Sequence, residues 1–175
     1  MPIQMTSNPT LPIAYFTLRG LIVLNWLMAA GILILFIISV ANESWFIAGL
    51  GITAAPDPQR VLTAFRVIAI LGFLATPLHF AVLKRLLAMV QTVRDGDPFV
   101  AANASRLQAI AWVLVALNLL SLVIGVTAAS ASSKSYPIQM AGFSVSGWLA
   151  VLLTFLLARV FAEGSRMRED LEGTV

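Results

Sequence analysis

The chain has 175 residues, of which 59% are apolar and 11% charged, and its mean hydropathy is +0.93. That balance lies outside the range of water-soluble globular chains and points to lipid as the solvent. The net charge of +3 comes from basic residues gathered at the ends of apolar runs, which is membrane topology rather than nucleic-acid binding, and the lack of cysteine excludes disulfides, thiolate metal sites and thiol redox chemistry.

Four runs approach or reach the ~17 to 25 residues needed to cross ~30 Å of hydrocarbon as helix: about 18–40, 61–83, 107–129 and 143–162. The expected architecture is therefore an all-α membrane protein, one domain over 1–175. It has four transmembrane helices, a polar elbow over 84–106 and a polar tail over 163–175.

Residues 1–14 carry Pro2, Pro9 and Pro12 and read as a poorly ordered arm ending at the interfacial Tyr15 and Phe16. Arg19 marks the entry to the first span, which is rich enough in Leu and Ile to carry the polar Asn25. A cleaved signal peptide ending at Ser39-Val40-Ala41 is the rival reading. The apolar run exceeds the ~7 to 15 residues of a signal core, and three further spans follow, so a retained helix is expected.

Asn42 to Asp57 reads as a loop with Trp45 and Phe46 at the interface and Gly49, Gly51 and Pro56 as breakers. Asp57-Pro58 is a helix start, a capping carboxylate followed by proline in the first turn. The second span carries Arg66 near one end, Pro77 as a bend and His79 near the other. Gly96-Asp97-Pro98 repeats the helix-start grammar and predicts Asp97 as the cap of the third span. An inverted internal repeat is not needed to explain the coincidence, and the shared Pro-Ile-Gln-Met at 2–5 and 137–140 is read as chance.

Ser130 to Gly142 reads as a Ser-rich loop with Lys134 and the interfacial Tyr136. The last span continues as an amphipathic helix whose apolar face runs through Val160, Gly164, Met167 and Leu171, bent or broken at Gly164. Arg159 with Glu163, Arg166 with Asp170 and Arg168 with Glu172 are spaced to pair. Arg19, Lys84, Arg85, Arg94, Arg106, Arg159, Arg166 and Arg168 fall on one side, against Arg60, Arg66 and Lys134 on the other. By the positive-inside rule both termini, the elbow and the tail are cytoplasmic.

No catalytic constellation forms, because the one histidine lies within a span and no acidic pair lies inside the bilayer, so no enzyme, cofactor or metal site is expected. His79, Asn25 and Asn118 are intramembrane polar residues, read first as interhelical hydrogen-bonding groups and second as a ligand or proton path. Arg66 reads as snorkelling to the headgroups, or else as an anion-binding or gating arginine. Small residues at Ser121, Gly125 and Ala129, and at Gly147, Ala150, Thr154 and Ala158, allow close helix packing or a homo-oligomer.

In the elbow, Phe99, Asn103, Arg106 and Ile110 share one helix face. They are placed either to satisfy carbonyls at neighbouring helix ends or to dock a soluble partner, and Glu163, Glu169, Asp170 and Glu172 could meet a basic one. The alternative function is a small oligomeric transporter or channel subunit with His79, Asn25, Asn118 and Arg66 along its path.

The blocks GDPFVAANASRLQAIAW and VFAEGSRMREDLEGTV resemble a family of bacterial four-helix inner-membrane proteins, the domain of unknown function 2975. Gly96, Pro98, Phe99, Asn103, Arg106 and Leu107 carry the first match. Phe161, Gly164, Met167, Asp170, Thr174 and Val175 carry the second, with methionine where leucine is commoner. The resemblance implies a multi-pass protein of the bacterial inner membrane, often encoded beside a small Cro-like helix-turn-helix regulator. It therefore implies a regulatory role with a cytoplasmic DNA-binding partner and no direct contact with nucleic acid.

Overall fold

A computed structural model describes residues 10–133, 137–138 and 142–172. The described chain is helical: α1 (Thr10–Ala41), the short α2 (Glu43–Gly49), a single 3-10 turn (Ile52–Ala54), α3 (Pro58–Arg94), α4 (Ala101–Ala131) and α5 (Val145–Glu172). α1, α3, α4 and α5 are long and apolar enough to cross a membrane. By length and composition the chain is a multi-pass membrane protein.

Each long helix outruns the apolar run that announces it. Residues 10–14, expected in a disordered arm, are the first turn of α1, with Pro12 where a missing N–H costs nothing. The elbow expected over 84–106 shrinks to residues 95–100, because α3 runs on to Arg94 and α4 starts at Ala101. α5 passes through Gly164 without a break. In each case the helical hydrogen bonds continue after the hydrophobic signal has faded. Lys134, Tyr136 and residues 1–9 lie outside the described residues.

The long helices pack along their lengths in chain order, α1 on α3, α3 on α4 and α4 on α5, as an open row. At the α1–α3 seam Ala29 is buried, Gly72 leaves room for Ile32, and Asn25 Nδ2 donates to the Thr76 carbonyl at 3.3 Å. Across α4 and α5, a Cβ on Gly147 would lie 2.3 Å from Asn118 Oδ1, so glycine is what lets the Asn118 amide lie against α5 there. Asn118 is itself anchored, its Nδ2 donating to the Leu114 carbonyl at 2.8 Å. α5 buries Val151, Ala158 and Ser165, spaced by seven. Val160 and Met167, expected on its packed face, are 53% and 57% exposed.

The end opposite the bend is closed by the segment between α1 and α3. Asn42 caps α2 by accepting from the Trp45 N–H, and Asp57 caps α3 by accepting from the Arg60 N–H, with Pro58 in the first turn as the sequence reads. Phe46 is buried with Ile52, Val61 and Leu62 rather than lying at the interface, and its ring meets Phe65 at 4.8 Å. Trp45 stays exposed.

Arg66 ties this end together. It donates to the Ser39 carbonyl in the last turn of α1 and pairs with Glu43 Oε2 at 3.0 Å, while Gln59 Nε2 donates to Glu43 Oε1 at 2.6 Å. A cation at a helix C-terminus satisfies both an orphan carbonyl and the helix dipole. The hydrogen bond from Gln59, then that from Arg66, hold the Glu43 carboxyl below its usual pKa of 4.5.

Two outcomes follow from these contacts. Gly147→Ala should lower the unfolding midpoint in detergent, at a cost of about 1–3 kcal/mol for overpacking, and adding Asn118→Ala should recover most of it. Because the folded-state pKa of Glu43 is depressed, its contribution is present above the unfolded value and is lost as pH falls through the folded one. Unfolding curves of the wild type and Glu43→Gln should therefore differ at neutral pH and converge as pH falls through the depressed folded-state value.

Candidate functional site

The bend between α3 and α4 is built from its backbone outward. Gly96 takes φ +87, a conformation open to glycine and strained for other residues. The Asp97 N–H reaches back to the Thr92 carbonyl at 3.0 Å and the Gly96 N–H to the Val93 carbonyl at 3.2 Å. This is a Schellman closure of α3. Asp97 is therefore spent on ending α3 and does not cap α4, whose N-cap is Val100 with no side-chain capping bond.

Asn103 fills the inside of the bend and is fully buried. Its Nδ2 donates to Thr92 Oγ1 at 2.7 Å and to the Pro98 carbonyl at 2.9 Å, and its Oδ1 accepts from Arg106 Nη1 at 2.8 Å. Arg106 Nη1 also reaches the Ala88 carbonyl at 3.5 Å. Thr92 completes the chain by donating to the Met89 carbonyl. One amide thus joins the last turns of α3, the loop and the first turns of α4. Asn103, expected as a docking residue, has no surface to offer, and Arg106 is largely engaged beside it. Their carbonyl targets are on α3 and the loop, since α5 does not end here.

Phe99 points the other way. It is 44% exposed, and its ring lies against Gly164, where a Cβ would sit 3.1 Å from Cδ1, and meets the Phe161 ring at 5.3 Å. Gly164 is thus a seat for Phe99, not a helix break. Asp97 pairs with Arg168 of α5, so the bend is held to α5 by an aromatic contact and an ion pair. On the same turns of α5, Glu163, Met167, Glu169 and Asp170 are exposed. Arg159 and Glu163, spaced to pair, make no ion pair with each other. At the same end Tyr15 receives the guanidinium groups of Arg19 and Arg94 at 5.5 and 5.2 Å, tying α1 to the end of α3.

The intramembrane polar residues stand on separate seams. Asn25 bonds across α1 and α3, Asn118 lies between α4 and α5, and Arg66 closes the far end. His79 is exposed, its Nδ1 2.9 Å from the Ala75 carbonyl of its own helix. Within one chain these four line no common path. Among the described residues, no group of three or more His, Asp or Glu side chains could hold a metal ion.

Sequence reasoning passed over Thr92, Glu43, Ser39 and the ion-pair role of Asp97. For Thr92 a signal existed: a hydroxyl residue in the last turn before a glycine, opposite an asparagine early in the next helix. For Glu43 and Ser39 the partner is far along the chain, and spacing carries no trace of it.

The family model described as a protein of unknown function (DUF2975) matches residues 40–175, from the last turn of α1 onward. No curated protein and no solved structure matches the chain.

Replacing Asn103 with alanine or leucine strands the Thr92 hydroxyl, the Pro98 carbonyl and part of the Arg106 fork. The expected cost is about 2–3 kcal/mol, read as a lower unfolding midpoint in detergent and faster proteolysis between residues 95 and 100. Asp97→Asn, which removes only an exposed ion pair, should cost less than about 1 kcal/mol.

Proposed function

The chain belongs to the DUF2975 family of unknown function, and from that premise we propose that it is a non-enzymatic regulatory protein of the bacterial inner membrane. Both termini and the bend are cytoplasmic in this reading, by the distribution of basic residues. The bend and the end of α5 together dock a soluble partner, in this reading the helix-turn-helix regulator that the family resemblance implies.

One observation carries the reading. Phe99 and Met167 are exposed apolar side chains, 44% and 57%, and Glu163, Glu169 and Asp170 are exposed carboxylates on the same last turns of α5, at an end fixed by the buried Asn103 and by the pairing of Asp97 with Arg168. A rigid apolar anchor rimmed with acids suits a protein whose own binding face is basic, as a face that grips phosphates is. Asn103 and Arg106 act here as positioning residues, and the contacts fall to Phe99, Met167 and the carboxylates. The non-enzymatic part rests on His79, the one histidine, lying in an apolar helix with its ring nitrogen on the Ala75 carbonyl of the same helix.

Two measurements test it. In a chain without native cysteine, Asp95→Cys should escape a membrane-impermeant maleimide in intact cells and react after permeabilisation; labelling from outside would reverse the topology. A helix-turn-helix regulator of the kind the family resemblance implies should bind the purified full-length protein, and Phe99→Ala with Met167→Ala should weaken binding at least about tenfold, as expected for an anchor pair. Equal binding by the double variant would remove the docking face.

A further inference from the structure

Between the first turns of α4 and the second half of α5 lies a cavity of about 560 Å³, within the ordinary range for small-ligand sites. Its floor is alanine, and its chemistry comes from Ser105, Gln108, Phe155, Arg159, Arg166 and Glu169. Arg159 and Arg166 are both exposed, and neither makes a hydrogen bond or ion pair with a described residue. Seven residues apart, they stand roughly 10 Å from each other along one face of the helix.

Their depth is informative. Leu152, Leu153, Leu156 and Val160 are exposed apolar side chains on α5, so Arg159 sits where the lipid-facing stretch ends and Arg166 lies two turns beyond it. A guanidinium at the edge of hydrocarbon snorkels toward the headgroup zone, and two of them lining one cavity, neither paired among the described residues, suit an anion held at that interface.

We infer that this cavity binds the headgroup of an anionic phospholipid, its phosphate held between Arg159 and Arg166. A phosphate diester offers the planar guanidinium groups paired oxygens, and a phospholipid carries that phosphate at the depth of these two arginines. The acyl chains then descend past Phe155 along the exposed leucines of α5. Glu169 repels a second anionic group and accepts hydrogen bonds from hydroxyls, as do Ser105 and Gln108. A single-phosphate headgroup bearing free hydroxyls, as in phosphatidylglycerol, fits that combination.

The test uses the full-length protein in a neutral detergent. It is titrated with phosphatidylglycerol, with zwitterionic phosphatidylethanolamine and with inorganic phosphate, and is read by native mass spectrometry and by the unfolding midpoint. Phosphatidylglycerol should bind and raise the midpoint, and the other two should not. Arg159→Gln and Arg166→Gln should each weaken binding about fivefold, and Arg159→Lys, which keeps the charge but loses the planar fork, should fall between Arg159→Gln and the wild type. Lys84→Gln, which removes an exposed cation at the same end outside the cavity, should leave binding unchanged. Undiminished binding by the Arg159→Gln, Arg166→Gln double variant, or an equal loss in Lys84→Gln, would overturn the site. An equal effect of inorganic phosphate would overturn its assignment to lipid.

Discussion

One buried amide governs the shape of this protein. Asn103 touches the end of α3, the loop and the start of α4 at once, through the Thr92 hydroxyl, the Pro98 carbonyl and Arg106. An amide has two donors and an acceptor carbonyl, and here each N–H and the oxygen is spent in fixing the turn. That fixed turn decides where Asp97 and Phe99 project, and those two residues hold the bend to α5. The exposed face beside the bend and the arginine-lined cavity both inherit their geometry from this contact.

The middle of the molecule is held differently. In hydrocarbon there is no hydrophobic reward for pairing one apolar helix with another, so the seams depend on close approach and a few polar crosslinks. Ala29 and Gly72 on one seam and Gly147 on another serve the first need, and Asn25 on the Thr76 carbonyl serves the second. Large apolar residues along α1 and α5 stay exposed because lipid is their intended neighbour. The far end repeats the logic of the bend with charge: Arg66 answers the Ser39 carbonyl in the last turn of α1, and Glu43 answers Arg66. Polar clasps at both ends thus frame an interior in which packing is almost wholly apolar.

The sequence made the spans legible because the solvent imposes them: a stretch that must satisfy its own backbone in lipid has to be a long apolar helix. It was less informative about where the helices stop. Hydropathy fades at the interface, while the helical hydrogen bonds of α3 continue to Arg94 and those of α5 run through Gly164. Asp57-Pro58 and Asp97-Pro98 read alike, yet only the first starts a helix. The difference is Gly96, whose positive φ commits the next residue to closing α3, and Arg168, which draws the Asp97 carboxylate to α5. The candidate residues divided in the same way. Phe99, Asn103 and Arg106 were identified as one helix face, but the division into a buried amide and an exposed ring depends on α5, which lies far along the chain.

The charges near the end of α5 are arranged by depth, and that order links the two roles proposed for this end. Arg159 and Arg166 border the cavity, and the carboxylates Glu169, which also lines it, and Asp170 lie farther along the helix. With the arginines unpaired among the described residues, their field offsets the neighbouring carboxylates within about a Debye length, close to 10 Å at moderate salt. A phosphate seated between them cancels that offset, so the face around Phe99 and Met167 becomes more acidic without any movement of the helices. A basic partner would then meet a more complementary surface when lipid is bound, and the two sites would be coupled through charge alone. Because Arg168 is already paired with Asp97 as part of the bend's attachment to α5, the coupling falls on Arg159 and Arg166.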